Sequence, residues 1–289
     1  MAMRDFHPQT RSSDRRDKRG DAVRIVGGAL AMRRAHGQPT GATGVHVYDP
    51  IFNEAHIALL RDFCAADEAR PLVVEVGFQR ARFARAYCSQ HPEVRYMGFE
   101  IRRKFVEESD AWMQRGGCEN YRLSLVDARE AMPELLEPGT VDRMFTFFPD
   151  PWWKSKQRKR RLLDRSFVAL AASLLKPGGT LLVKTDVAGY ADWAQAELEA
   201  VTGLRVERLA DPRAGLPPTQ RERRCIDAGL PTWAVEATRL VDVEITISDA
   251  PNRFDLAHGY DASALADDAD SADSAVDATA ANPDSGDDI

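Results

Sequence analysis

Five short β-rich runs recur along the chain, each followed by a stretch of helical spacing, and each ending at or just before a carboxylate. The runs are PLVVEV at 71–76, RYMGFE at 95–100, a run over 121–126, VDRMFTFF at 141–148 and TLLVKT at 180–185. Helical segments are expected over 80–90, where Phe83, Ala84 and Tyr87 share one side, and over 103–115, 129–136, 164–175 and 190–201. Pro177-Gly178-Gly179 is expected to close the fourth of these helices. Such βα repetition predicts an α/β fold with a doubly wound, mostly parallel sheet, whose ligands sit beyond the carboxyl ends of the strands. Two later runs, RVERLA from Arg205 and VDVEITIS at 241–248, are expected to complete seven strands, closing the edge with an antiparallel C-terminal strand.

The last residue of each run is therefore the informative one. Glu75 ends the first and Glu100 the second, while Asp127, Asp150 and Asp186 follow the third, fourth and fifth. One such carboxylate is ordinarily a helix cap or a loop residue. Five at corresponding places exceed what capping explains, since Glu is a poor N-cap. Glu100 lies 25 residues beyond Glu75, the spacing at which a carboxylate accepts from ribose hydroxyls in a nucleotide-type site. Glu75 is placed to orient a cationic amino-acid group, and Asp127-Ala128 to receive an adenine amino group. A pocket lined with carboxylates repels a pyrophosphate and suits a sulfonium, so the pattern favours S-adenosylmethionine over a dinucleotide.

Charge divides the chain. Tyr260 to Ile289 holds nine aspartates and no Lys or Arg; the 45 acids of the chain less these nine leave 36 against 39 bases. Residues 251–289 are expected to be a disordered acidic tail, residues 1–45, with nine bases before Ala35, a largely disordered basic arm, and 46–250 the folded domain. Cys64, Cys88, Cys118 and Cys225 are far apart, with neither a Cys-x-x-Cys pair nor a neighbouring histidine, which argues for reduced thiols in the cytoplasm and against zinc. No apolar run is long enough to span a bilayer.

The most distinctive stretch is FFPDPWWKSKQRKRR, Phe147 to Arg161. Pro149 and Pro151 fix the backbone around Asp150. Trp152 or Trp153 can stack on a base or pack, and Lys154, Lys156, Arg158, Lys159, Arg160 and Arg161 can meet phosphates.

With FPDPW and the KRR that ends the basic run, LKPGG…KTD at 175–186, and Thr219-x-x-Glu222, the chain resembles the bacterial tRNA (guanine-46-N7) methyltransferases over about residues 45 to 248. The resemblance implies a Rossmann-like class I methyltransferase fold, S-adenosylmethionine as cofactor and tRNA as substrate. It implies a cofactor site of Glu75, Gly77, Glu100, Asp127, Ala128 and Asp150, with Asp150 also catalytic, and tRNA contacts from Lys154, Asp186, Thr219 and Glu222. The family's first turn reads Gly-Phe-Gly-x-Gly, whereas here it is Gly77-Phe78-Gln79-Arg80-Ala81. Trp153 and Gln157 also stand where proline and histidine are usual. Gln79 is expected to crowd the cofactor, so that glycine at 79 and 81 should tighten binding and cost stability. A relative that binds RNA without transferring a methyl group is the alternative that this turn leaves open.

Overall fold

The computed structural model describes residues 54–66, 69–152, 157, 160–213, 215–248 and 252, and the backbone of four short strands nearer the N-terminus. Three of those, β1 (Arg15–Arg16), β2 (Ala22–Val26) and β3 (Ala29–Ala31), pair antiparallel in that order. The rest of the arm expected over 1–45 lies outside the described residues, as does the tail expected over 251–289 apart from Asn252.

The main chain pattern then runs β4 (Val45–His46), α1 (Glu54–Ala65), β5 (Leu72–Val76), α2 (Arg82–Gln90), β6 (Arg95–Glu100), α3 (Arg103–Arg115), β7 (Tyr121–Leu125), α4 (Ala128–Leu135), β8 (Val141–Phe147), α5 (Arg165–Leu174), β9 (Leu175–Thr185), α6 (Ala188–Glu199), β10 (Leu204–Arg208), α7 (Gln220–Asp227) and β11 (Trp233–Arg239). The sheet order is β10-β11-β9-β8-β5-β6-β7-β4. Strands β4 to β9 in it are parallel to one another, and β11 runs antiparallel to both β9 and β10. The doubly wound, mostly parallel sheet with an antiparallel C-terminal strand is thus as expected, with the two-residue β4 added to the seven strands at one edge.

Every residue of β5 and of β6 is buried, as parallel strands covered on both faces must be. Period-two alternation sends Val74, Met97, Met144, Leu181 and Val183 to one core, shared with α1, α4, α5 and α6. Val73, Tyr96, Phe145 and Leu182 go to the other, shared with α2 and α3.

Three expectations need correction. The seventh strand is β11 at 233–239, not 241–248, which forms a single bridge, Val201 with Ile247. VDVEITIS alternates as a half-buried strand would, but WAVEATR, rich in small residues, fits the slot between two strands, leaving Val241 and Val243 exposed. Strand β9 begins at Leu175, where a helix was expected, because Leu175 pairs with Val141 before Lys176 to Gly179 bulge outward. Helices α1 and α7 are additional to the expected elements; in α1, Leu60 and Cys64 are buried and Ile57 packs half-buried beside them. Among the described residues, no helix is long and apolar enough to cross a membrane.

Candidate active site

The turn after β5 carries the first half of the site. Gly77 has φ +83°, and Gln79 and Ala81 both hold φ +50°, the left-handed conformation that glycine adopts freely and other residues at a cost of roughly 1 kcal/mol or more each. The turn is clamped there. The Gly77 amide donates to Phe99 O (2.8 Å), the Ala81 amide to Phe78 O (2.9 Å), the Gln79 amide to Glu100 Oε2 (3.0 Å), and the Ser109 hydroxyl to Gln79 O (3.2 Å). Gly98 permits this approach, since a Cβ there would come within 2.6 Å of Leu123 and 2.8 Å of the Phe78 ring. The backbone of a glycine-rich turn is therefore kept with two glycines replaced, and Gln79 is exposed at the cleft rather than packed into it.

Glu75 and Glu100 end adjacent strands and are both buried. The Tyr96 hydroxyl donates to Glu75, whose carboxyl is pushed up to about 8, chiefly by burial, with the nearby Glu100 adding to the rise. Burial also raises the Glu100 carboxyl, against the pull of three backbone donors, Gln79, Ile101 (2.8 Å) and Arg102 (2.9 Å). Beside it, Ile101 is 67% exposed, a large apolar residue left in solvent next to the buried carboxylate. An isoleucine straight after a strand-end acid was the signal available for it.

Asp127 caps α4, accepting from the Arg129 amide (2.9 Å), with Ala128 buried behind it. Both stand at the end of β7, one strand further out than Glu100. Asp150 is mostly exposed, and Arg102 reaches it at 3.5 Å. Because β5 lies between β8 and β6, this ion pair straddles the end of β5 and its turn. Phe148 (φ +49°) and Trp152 (φ +43°) are left-handed on either side of Pro149-Asp150-Pro151, a second strained segment. Its clamp is Arg161, which donates to Pro151 O (3.0 Å) and Trp152 O (3.1 Å) and lies over the Trp193 ring. Arg161 is only 3% exposed, so it is not one of the phosphate contacts expected of the basic run: its guanidinium is taken up by loop carbonyls. Arg160 is exposed and stacks on Trp152, 4.9 Å from the ring centroid. Lys154, Lys156, Arg158 and Lys159 lie outside the described residues.

The second half of the site joins the end of β9 to α7. Thr219 and Glu222 form a capping box: the Thr219 hydroxyl accepts from the Glu222 amide (3.1 Å) and Glu222 Oε2 accepts from the Thr219 amide (3.3 Å). Glu222 also receives Lys184 Nζ at 3.0 and 3.2 Å, and both side chains are wholly buried. Burial pulls the Lys184 ammonium down, opposed by Glu222. A lysine inside the apolar run TLLVKT signals such a partner. Asp186 Oδ2 accepts from Arg221 Nε (2.8 Å) and Nη2 (2.5 Å). Thr219 and Arg221 then line a cleft of about 350 Å³, open to solvent, together with Glu75, Gly77, Gln79, Phe147 and Phe148.

Residues 69–235, which span both halves of this site, match the family described as "Putative methyltransferase". The chain belongs to that family. A tRNA (guanine-N(7)-)-methyltransferase of Myxococcus xanthus is 34% identical over 168 residues, 56% of this chain and 81% of the relative. Relatives of the same name from Anaeromyxobacter dehalogenans (37% identical over 172 residues, 58% of this chain and 85% of the relative) and Halorhodospira halophila (35% over 167 residues, 56% and 71%) align comparably. The resemblance drawn from FPDPW, KTD and Thr-x-x-Glu is borne out. The family is that of the bacterial class I enzymes that use S-adenosylmethionine.

Proposed function

We propose that the protein methylates N7 of guanine in tRNA in the cytoplasm, at position 46, using S-adenosylmethionine. The observation that carries this reading is the turn Gly77 to Ala81. It holds a glycine-type backbone between the buried carboxylates of β5 and β6, and it lines one cleft with Phe147 and Phe148, which lead into the Asp150 loop. Nothing in a bare helix-capping role requires left-handed Gln79 and Ala81, and this also weighs against a relative that only binds RNA.

The residues fit the cofactor. Glu75 would hold its ammonium, the Gly77 turn its amino-acid end, Glu100 the ribose hydroxyls, Ile101 one face of the base, and Asp127 and Ala128 the adenine amino group. When bound, the cofactor supplies a methyl group on a sulfonium.

Guanine N7 has an in-plane lone pair and no proton to lose, so the protein needs no strong base. Its task is alignment, and stabilisation of the positive charge left on the ring. Asp150 offsets that charge once Arg102 turns from it to a phosphate. Asp186 and Thr219 accept from the guanine edge, which selects guanine over adenine. Glu222 serves the same side through the α7 cap that it forms, its carboxylate being taken up by Lys184. Lys154 and the exposed part of the basic run meet the tRNA backbone.

Incubating the purified chain with labelled S-adenosylmethionine and tRNA, then locating 7-methylguanosine by chemical cleavage, tests the reading. Label at guanine 46, lost when that base is adenine, is the expected result; label elsewhere or none would refute it.

A further inference from the structure

Three arginines surround one indole on the α2–α3 face. The guanidinium carbons of Arg85, Arg82 and Arg115 lie 4.0, 5.5 and 5.8 Å from the Trp112 ring centroid. Neighbouring cations are neutralised: Arg80 pairs with Glu108, Arg103 with Glu107 and Lys104 with Glu108. Among the described residues, Arg82, Arg85 and Arg115 make no ion pair. The ring quadrupole holds a cation without cancelling its charge, so three like charges remain together and their donors remain available.

The cluster is built rather than incidental. Arg85 lies across Gly116, where a Cβ would collide with the Arg85 side chain, so the missing side chain at 116 is what lets this guanidinium come within 4.0 Å of the indole centroid. Gly116 has φ −82°, a conformation open to any residue, so backbone freedom does not explain the glycine. Arg82 also lines the cleft, which makes the cluster continuous with the site.

We propose that Arg82, Arg85 and Arg115, arrayed on Trp112, bind backbone phosphates of the RNA beside the target nucleotide, as a contact area separate from the basic run at 154–161. Pre-arranged guanidinium forks match phosphate oxygens in pairs, which solvated lysines do not. This rests on tRNA being the substrate.

The test is the affinity of the full chain for unmodified tRNA across a salt series, for Arg85→Gln/Arg115→Gln and for Gly116→Ala. The double variant should bind about tenfold more weakly, and its slope of log K against log salt should flatten by about 1 to 2, while cofactor affinity stays the same. Gly116→Ala keeps the charge and displaces one guanidinium; it should bind about threefold more weakly. Wild-type affinity and slope in both variants would overturn the proposal. So would a loss confined to the double variant, which would make net charge, not this cluster, the cause. Failure of the unaltered chain to bind tRNA would instead bring down the substrate reading itself.

Discussion

The two halves of the cleft satisfy their polar groups in opposite ways. Around β5 the chain accepts conformations that are unfavourable on their own, with Gln79 and Ala81 left-handed and Glu75 buried. Around α7 the groups satisfy one another, Lys184 with Glu222 and Asp186 with Arg221, inside a closed capping box. The first half keeps its shape at a cost; the second keeps its shape through ion pairs of its own, which leave Thr219 at the cleft. Substitutions in the first should therefore change binding and leave or improve stability, and those in the second should change stability first.

The α7 half gives the largest effect. Lys184→Met or Glu222→Leu alone strands a buried charge and should cost about 3–5 kcal/mol in chemical denaturation, whereas the two together should recover much of the loss. Equal losses in the single and double variants would break the contrast. Asp150→Asn, on the exposed loop, should lower methyl transfer by about 100-fold with the melting temperature unchanged. Normal turnover would remove Asp150 from the chemistry.

Glu75 sharpens the comparison through pH. Its folded carboxyl is raised to about 8, so its contribution favours the folded state fully below the ordinary carboxylate range and is lost as pH rises through 8. Between about pH 5 and 8 the cofactor-free protein should lose up to about 1.4 kcal/mol per pH unit from this group. Glu75→Gln should remove that slope in denaturant titrations at several pH values. Cofactor affinity should rise over the same interval in the parent protein, because the ammonium needs the ionised carboxylate.

The smallest effect reverses an expectation. Gln79→Gly relieves a left-handed glutamine without giving up burial and should raise stability by about 0.5–1 kcal/mol, where a loss was anticipated. Ala81→Gly gains the same relief but loses a buried methyl, and should be near neutral. A fall in melting temperature for Gln79→Gly would show that the clamp by Glu100 and Ser109, not the residue type, governs the turn.

What the sequence made legible was whatever has a period or a terminus. Strand β6 and helix α3 fall at the expected residues, and the strand-end acids fall where βα repetition places them. The slot of β11 was not legible, because insertion between β9 and β10 is set by partners as far back in the chain as Thr180, which pairs with Thr238. Arg161 was misread because a buried and a solvated arginine look alike in a basic run, and only the strained Pro149-Asp150-Pro151 loop shows which carbonyls need a donor. Thr219 and Glu222 were singled out as a motif, and the capping box that the same spacing permits went unread; the structure shows that box.

The placement of β11 also bears on biosynthesis. Strand β9 pairs through Thr180 to Thr185 with Trp233–Arg239, which is made after β10 and α7. Until residue 239 has left the ribosome, β10 has no neighbour and the outer side of β9 shows unpaired amides and carbonyls to other nascent chains. Any stall or nonsense codon between α7 and β11 thus yields a product with a nearly whole core and an open edge, a template for aggregation and not merely an inactive enzyme.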